Sequence, residues 1–220
     1  MFVLDNYSTD GTWEFLQDNN ISSNRIDTNG SFDLRILQRA RTKIVEEQNP
    51  DWVIYGDGDE FIMTDESLRQ VIENNEKNYR TIAMRNIDFY YTGEERQQRD
   101  PREMFFYCRI KNPLIRIHRT DGFQGYKADS ILLRNKKTLT IEGGCIWDFG
   151  MTKPWWKRED TRKRRKKAWS EGMERLGRHY EQGKAVHWRW GKKDLQDIRE
   201  SKYWEVYLKN KQWIDKNEQN

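Results

Sequence analysis

The sequence predicts an α/β fold, a mixed sheet flanked by helices, with a helical extension at the C-terminal end. Three observations predict it. Short apolar runs alternate along the first half with segments whose apolar residues recur at helical spacing. Two of those runs stop at acidic clusters, Asp5-Asn6-Tyr7-Ser8-Thr9-Asp10-Gly11-Thr12 and, about fifty residues later, Asp57-Gly58-Asp59-Glu60-Phe61. Beyond Gly150 the pattern turns into basic, Trp-rich helical periodicity. Polar residues at the carboxyl ends of strands mark the edge of an α/β sheet where ligands bind.

In chain order, Phe2-Val3-Leu4 reads as the end of a buried strand, so the fold opens in mid-course. Trp13, Phe15 and Leu16 belong to a short helix capped by Asp10 or Thr12. Ile36, Leu37, Ala40, Ile44 and Val45 recur at helical spacing in a second helix that Asn49-Pro50 closes. Trp52-Val53-Ile54-Tyr55 is the next strand and runs straight into the second acidic cluster, on a strand expected to neighbour the first. Asp65-Glu66-Ser67 opens a helix carrying Leu68, Val71 and Ile72 on one face, and 81–89 reads as a strand. The polar tract 91–103 is expected to be an exposed loop beside the site. Short strands are expected at 114–118, 131–134, 139–142 and 145–149. Pro154-Trp155-Trp156 leads into a helix with Trp169, Met173, Leu176 and Tyr180 in one stripe, and a last helix runs from about Lys193 to Lys216 with Tyr203, Val206, Tyr207 and Ile214 inward. The expected organisation is an α/β domain over 1–150 that carries both acidic clusters and a helical extension over 151–220 packed on it.

At 220 residues the chain holds one sizeable α/β domain with a smaller appendage. Charged residues make up 35%, a share that ten Trp, ten Tyr and nine Phe offset by burying a large area each. The balance of 40 Lys+Arg and 36 Asp+Glu gives +4, too small an excess to argue for nucleic acid. Cys108 and Cys145 have no metal-type spacing and lie in strand-like runs, which suits reduced core thiols in a reducing compartment. No apolar run approaches the ~18 residues of a membrane span, and Asp5 interrupts the first apolar run too soon for a signal peptide. The location expected is cytoplasmic, in solution or peripheral to a membrane.

The acidic clusters contain no Cys or His, and carboxylates alone suit a hard divalent cation that also takes phosphate oxygens. Asp57 and Asp59, two residues apart, point to one side if extended geometry persists, and Gly58 between them lets a ligand approach the backbone. Departure of a nucleotide diphosphate from a sugar needs its charge neutralised in this way.

The segment 3–12 resembles the Asp-Asp/Asn-x-Ser-x-Asp-Gly-Thr signature of glycosyltransferase family 2, and 51–61 resembles that family's strand and Asp-x-Asp segment in the variant ending Asp-Glu-Phe. Order and spacing match as well, over roughly the first 90 residues. The resemblance implies a GT-A fold, a Mn²⁺ or Mg²⁺ ion, and transfer of a hexose from a nucleotide-diphosphate sugar, taken as a UDP-sugar, to a hydroxyl of a glycan, lipid or protein, with inversion. It implies that Asp5 contacts the nucleoside, that Asp10 shapes the turn, and that Asp57 and Asp59 contact ribose and metal. Glu60 reads as a partner of the site or a solvated turn residue, and Phe61 as core. Where members carry a late His-x-Gly ligand this chain has Asp148, a third candidate metal ligand. An inverting transfer also needs a general base, for which Asp121, Asp129, Glu142 and Asp148 are candidates, with Asp148 and Asp129 ahead. Members have a further strand and helix before the first signature. With the chain opening at what corresponds to the second strand, the expectation is a shortened protein, a fragment, or a pocket completed by another chain, a homo-oligomer included.

Other features are weaker. His118 reads as structural or site-facing, and His179 and His187 have no ligand-spaced partner. The basic run 162–167 is a solvated helix face or an anion-binding one. Trp155 and Trp156 are core or an acceptor platform, and Trp169 is core. The competing functional reading is a truncated, non-catalytic module of the same type that serves in assembly or binds nucleic acid.

Overall fold

The structure is a computed structural model that describes residues 1–28, 34–89, 107–127, 130–149 and 196–217. The described residues form two compact units, both discontinuous in sequence: 1–50 with 120–134, and 51–119 with 135–149 and 196–217. The expected loop at 91–103, the Trp-bearing helix after Pro154 with its basic run, Asp129, His179 and His187 lie outside the described residues.

In the first unit, β1 (Val3–Asp5) and β2 (Ser23–Arg25) pair in parallel, with Asp5 opposite Arg25, and α1 (Thr12–Asp18) connects them. The N-cap of α1 falls on Gly11, whose φ of 88° is the left-handed conformation that glycine adopts at least cost. Asp10 sits one position earlier and accepts hydrogen bonds from the Thr12 amide (3.2 Å) and hydroxyl (2.6 Å). It shapes the turn rather than capping the helix. The second helix, α2 (Leu34–Gln48), packs on the hairpin strand β7 (Phe123–Lys127), which pairs antiparallel with β8 (Ser130–Leu133). Thr42 is the joint: its hydroxyl donates to the Gln38 carbonyl (2.8 Å) and accepts from the Tyr126 amide (3.2 Å). Gly125 lies against it at a φ of 113°, a conformation that side-chain-bearing residues rarely adopt, and a Cβ there would stand a tight 3.3 Å from Thr42 Oγ1.

The second unit is built on a six-stranded mixed sheet. Its strands are β3 (Trp52–Ile54), β4 (Glu60–Thr64), β5 (Thr81–Phe89), β6 (Tyr107–Arg119), β9 (Thr138–Asp148) and β10 (Gln196–Asp197). The order is β10-β6-β5-β9-β4, with β3 pairing the other end of β6. Among the described strands of this sheet only β5 and β9 pair in parallel. Both faces are covered, which is why β5 is buried almost throughout, its polar residues included. One face packs Ile82, Met84, Ile117 and Ile146 against Val71 of α3 (Leu68–Asn75), whose N-terminus carries a reciprocal Ser67–Gln70 capping box. The other packs Ile87, Phe89, Cys145 and Trp147 against Ile198 and against Tyr203, Val206 and Tyr207 of α4 (Tyr203–Asn217). Aromatic rings dominate that second core: Phe89 stacks on Phe149 at 4.9 Å and Trp147 on Tyr207 at 4.5 Å.

Several sequence expectations are corrected. The two acidic clusters end strands of different sheets, β1 with β2 and β3 with β6, rather than neighbouring strands of one sheet. Residues 139–149 do not form two strands split at Gly143-Gly144. They form the single strand β9, where a Gly144 Cβ would meet Ile141 Cδ1 at 2.7 Å, so the glycines mark close packing and a bulge against β5 rather than a break. The last helix begins at Tyr203, because Gln196–Asp197 joins the sheet, Asp197 caps the short 3₁₀ turn Ile198–Glu200, and Ser201 is extended. Phe61 is 42% exposed rather than core, although its edge meets Phe149 at 5.6 Å.

The cysteines are free and buried, and burial pushes both thiols up to about 12. His118 is fully buried, with Nδ1 2.8 Å from the Arg119 carbonyl and its ring edge-on to Tyr55. Burial lowers its pKa. It is structural.

Two predictions follow from this packing. Phe89→Ala removes a fully buried ring from the aromatic core and should cost about 3–5 kcal/mol in urea unfolding. His118 has a lower pKa folded than unfolded, so as pH falls below about 6.5 the unfolded chain takes up the proton first and stability is lost. Unfolding free energies at about pH 7.5 and about pH 5.5 should differ less in His118→Gln than in the wild type.

Candidate functional site

The first acidic turn is assembled around Asp5, whose side chain is almost wholly buried at the end of β1. Its two oxygens accept the Ser8 amide (3.1 and 3.3 Å), and Arg25, its register partner on β2, places Nε 3.3 Å from Oδ2. The Arg25 guanidinium lies over two rings, Trp13 at 4.4 Å and Tyr7 at 5.0 Å. Asn6 is held by the hydroxyl of buried Thr28 (2.8 Å), and Tyr7 takes a positive φ of 52° with its ring exposed. The turn is thus fixed from within and presents Tyr7 outward. Asp10 is exposed at its far end, and the Thr12 hydroxyl and then its amide hold the Asp10 carboxyl below the usual range.

The second acidic turn joins β3 to β4. Its entry is tied to β6 by Tyr55, whose amide donates to the Arg116 carbonyl (3.0 Å) and whose hydroxyl donates to the Ile115 carbonyl (2.7 Å). The turn closes on itself through the Glu60 amide and the Asp57 carbonyl (3.0 Å). Its exit is tied to β9: the Phe149 amide donates to the Asp59 carbonyl (2.9 Å), and Glu60 is the register partner of Asp148. Asp57 is exposed, while Asp59 and Asp148 are half-buried. The strand pairing therefore sets Asp148 beside the Asp57-Gly58-Asp59 turn, a juxtaposition of residues far apart in sequence. Among the described residues, the glycine's chain neighbours aside, nothing lies within 4 Å of where a Gly58 Cβ would be, so they leave that side of the turn open.

These carboxylates fit a hard divalent ion by the chemistry of the donor set, which is oxygen only. Among the described residues no three metal-binding side chains converge into a closed cage. Magnesium-like ions are commonly held by one or two carboxylates with phosphate oxygens and water completing the shell, a requirement that the Asp57-Gly58-Asp59 turn meets in donor type without a closed cage.

A family model described as Glycosyl transferase family 2 matches residues 1–135, both acidic turns included. The chain belongs to glycosyltransferase family 2. No curated protein matches it closely enough to be counted a relative. The mixed α/β architecture with its C-terminal helix is that of a GT-A-like glycosyltransferase, and the family in general uses nucleotide-sugar donors and a divalent metal. Asp148 lies beyond the matched segment and enters the site through the strand register alone.

Four residues around this second acidic turn were missed or underrated in the sequence. Glu60 is only 4% exposed in its side chain and is gripped by Arg116 through Nε (2.9 Å) and a second, short contact. Burial would lower the Arg116 guanidinium, but the hydrogen bonds and charge of Glu60 outweigh it and hold the group above its ordinary range. Asp88, fully buried on β5, is the register partner of Asp148, so Glu60, Asp148 and Asp88 form a row on one face across three strands. Lys111 of β6 pairs with Asp88, and Asn86 donates to it (2.8 Å). The signal for this was legible: Asn86 and Asp88 alternate with Ile87 and Phe89 in a strand, which places two polar groups on one face. Arg116 and Lys111 carried no signal, since lone cations in a strand ordinarily face water.

The other candidate bases behave differently. Glu142 is exposed and paired with Lys202, whose hydrogen bond and then charge lower its carboxyl, and Asp121 is exposed in the turn before β7. No described helix is long and apolar enough to cross a membrane. Replacing Lys111 by Met strips a buried carboxylate of its cation and should destabilise the fold by roughly 3 kcal/mol in urea unfolding, more than Lys209→Met at the exposed pair with Asp65.

Proposed function

We propose that this chain transfers a hexose from a UDP-sugar to a hydroxyl acceptor, with Mn²⁺ or Mg²⁺ bound and with inversion at the anomeric carbon. The observation that carries the reading is the Asp57-Gly58-Asp59 turn, open at Gly58 and hydrogen-bonded at its exit to the strand that ends in Asp148. In this reading Asp57 and Asp59 take the ribose and the cation, Asp5 the nucleoside, and Asp10 keeps the first turn in shape. The cation, when bound, neutralises the charge that develops on the departing diphosphate.

An aspartate removes the proton of the acceptor hydroxyl as its oxygen attacks the anomeric carbon and the bond to the diphosphate breaks. That base is Asp148 or Asp129. An oxygen that holds the cation is not available to take a proton, so if Asp148 is a ligand the base falls to Asp129. The free, buried thiols of Cys108 and Cys145 support a reducing, cytoplasmic location.

Ligand binding to the folded state alone raises thermal stability, by about 2.7 kcal/mol at a hundred times the Kd. UDP together with Mn²⁺ should raise the midpoint of unfolding, Mn²⁺ alone should raise it little, and Asp59→Ala should abolish the joint effect. A wild type indifferent to every nucleoside diphosphate with Mn²⁺, combined with salt-sensitive binding to RNA or DNA, would overturn this reading in favour of a non-catalytic module.

A further inference from the structure

We propose that Glu60 and Arg116 act as positioning residues that set the geometry of the Asp57-Gly58-Asp59 turn for cation and donor. The inference rests on the glycosyltransferase reading of that turn. Glu60 follows the turn directly, yet neither of its oxygens is offered to a ligand: Oε1 and Oε2 are both engaged by the Arg116 fork. The same Oε2 also accepts the Asp57 amide (3.2 Å), so one carboxylate ties the first residue of the turn to β6. Arg116 is itself fixed. Its carbonyl takes the Tyr55 amide, its guanidinium stands 5.2 Å from the centre of the Tyr55 ring, and its side chain is 12% exposed.

The reason for such a device is electrostatic. Asp57, Asp59, Glu60 and Asp148 crowd four carboxylates around one turn, and without a cation they repel one another. A bidentate guanidinium cancels the charge of the one that follows the turn and uses it as a brace. The brace acts at the Asp57 amide, one peptide from the carboxylate that it orients. A planar fork does this where an ammonium cannot, because it engages both oxygens and leaves a lone pair of Oε2 directed at the amide.

Removing one member of a buried pair also costs stability, so the test separates the two effects. Glu60→Gln keeps the shape and loses the charge, Arg116→Met loses the fork, and Arg116→Lys keeps charge without the fork. Val71→Ala, in the core under α3, is the control for stability alone. In native-state exchange monitored by NMR, the Asp57 amide should exchange about tenfold faster in Glu60→Gln and Arg116→Met, the loss expected for one charge-assisted hydrogen bond. Mn²⁺ binding followed by EPR in the presence of UDP should weaken roughly tenfold in the same variants, with Arg116→Lys intermediate and Val71→Ala unchanged.

Variants that lose stability but keep wild-type Asp57 exchange and Mn²⁺ affinity would overturn the proposal and leave the pair merely structural. A wild type that binds neither Mn²⁺ nor UDP would instead overturn the glycosyltransferase reading, and the exchange measurement would still decide whether the pair sets the turn. If Glu60→Gln does not fold, the Arg116→Lys and wild-type comparison carries the same decision.

Discussion

The second unit depends on β9 and its double pairing. Parallel to β5 on one side and antiparallel to β4 on the other, this strand supplies Ile146 to one core and Cys145 and Trp147 to the other. Its last residues deliver Asp148 into register with Glu60 and Asp88 and tie Phe149 to the Asp59 carbonyl. Because side chains alternate with period two, a slip of one residue would exchange Trp147 for Asp148 on the aromatic face. The hydrophobic pattern therefore enforces the register that also sets the acidic row. Gly143 and Gly144 allow the bulge that reconciles the two halves of the β5 pairing.

The acidic turns solve a common problem by a common device. A turn that gathers carboxylates at a strand end must hold that negative charge in place. In one turn Arg25 from the adjacent strand meets Asp5 and lies over Tyr7, and in the other Arg116 meets Glu60 and lies over Tyr55. Each guanidinium neutralises a buried carboxylate and is itself sheltered by a ring, an arrangement suited to arginine and not to lysine. Lys111 neutralises buried Asp88 by the ion pair alone. Buried charge is costly unless paired, so these partners allow carboxylates at the strand ends to persist within an apolar sheet.

Much of this was legible in the sequence, and the errors have identifiable causes. The alternation of strand and helix, the capped start of α3 at Ser67, and the inward Tyr203, Val206 and Tyr207 follow from periodicity and capping chemistry, which are local. Glycine misled at Gly143-Gly144, because a breaker and a close-packing residue look alike in one dimension. Phe61 looked like core because its exposure depends on what packs over the sheet. Asp88 went unremarked because an acid in a strand is usually assigned to the solvent face, and only the burial of both faces of β5 makes it significant.

The sequence by itself determined the family, the oxygen-only chemistry of the two acidic clusters and the alternating architecture, because motifs, donor types and hydrophobic period are properties of short segments. Tertiary structure alone decided which carboxylates stand together and which are spent on structure. Asp148 joins the Asp57-Gly58-Asp59 turn through a strand pairing, and Glu60 is withdrawn from ligand duty by an arginine 56 residues away. Both are consequences of long-range register and of the need to pair buried charge, and neither is written in any local stretch of the chain.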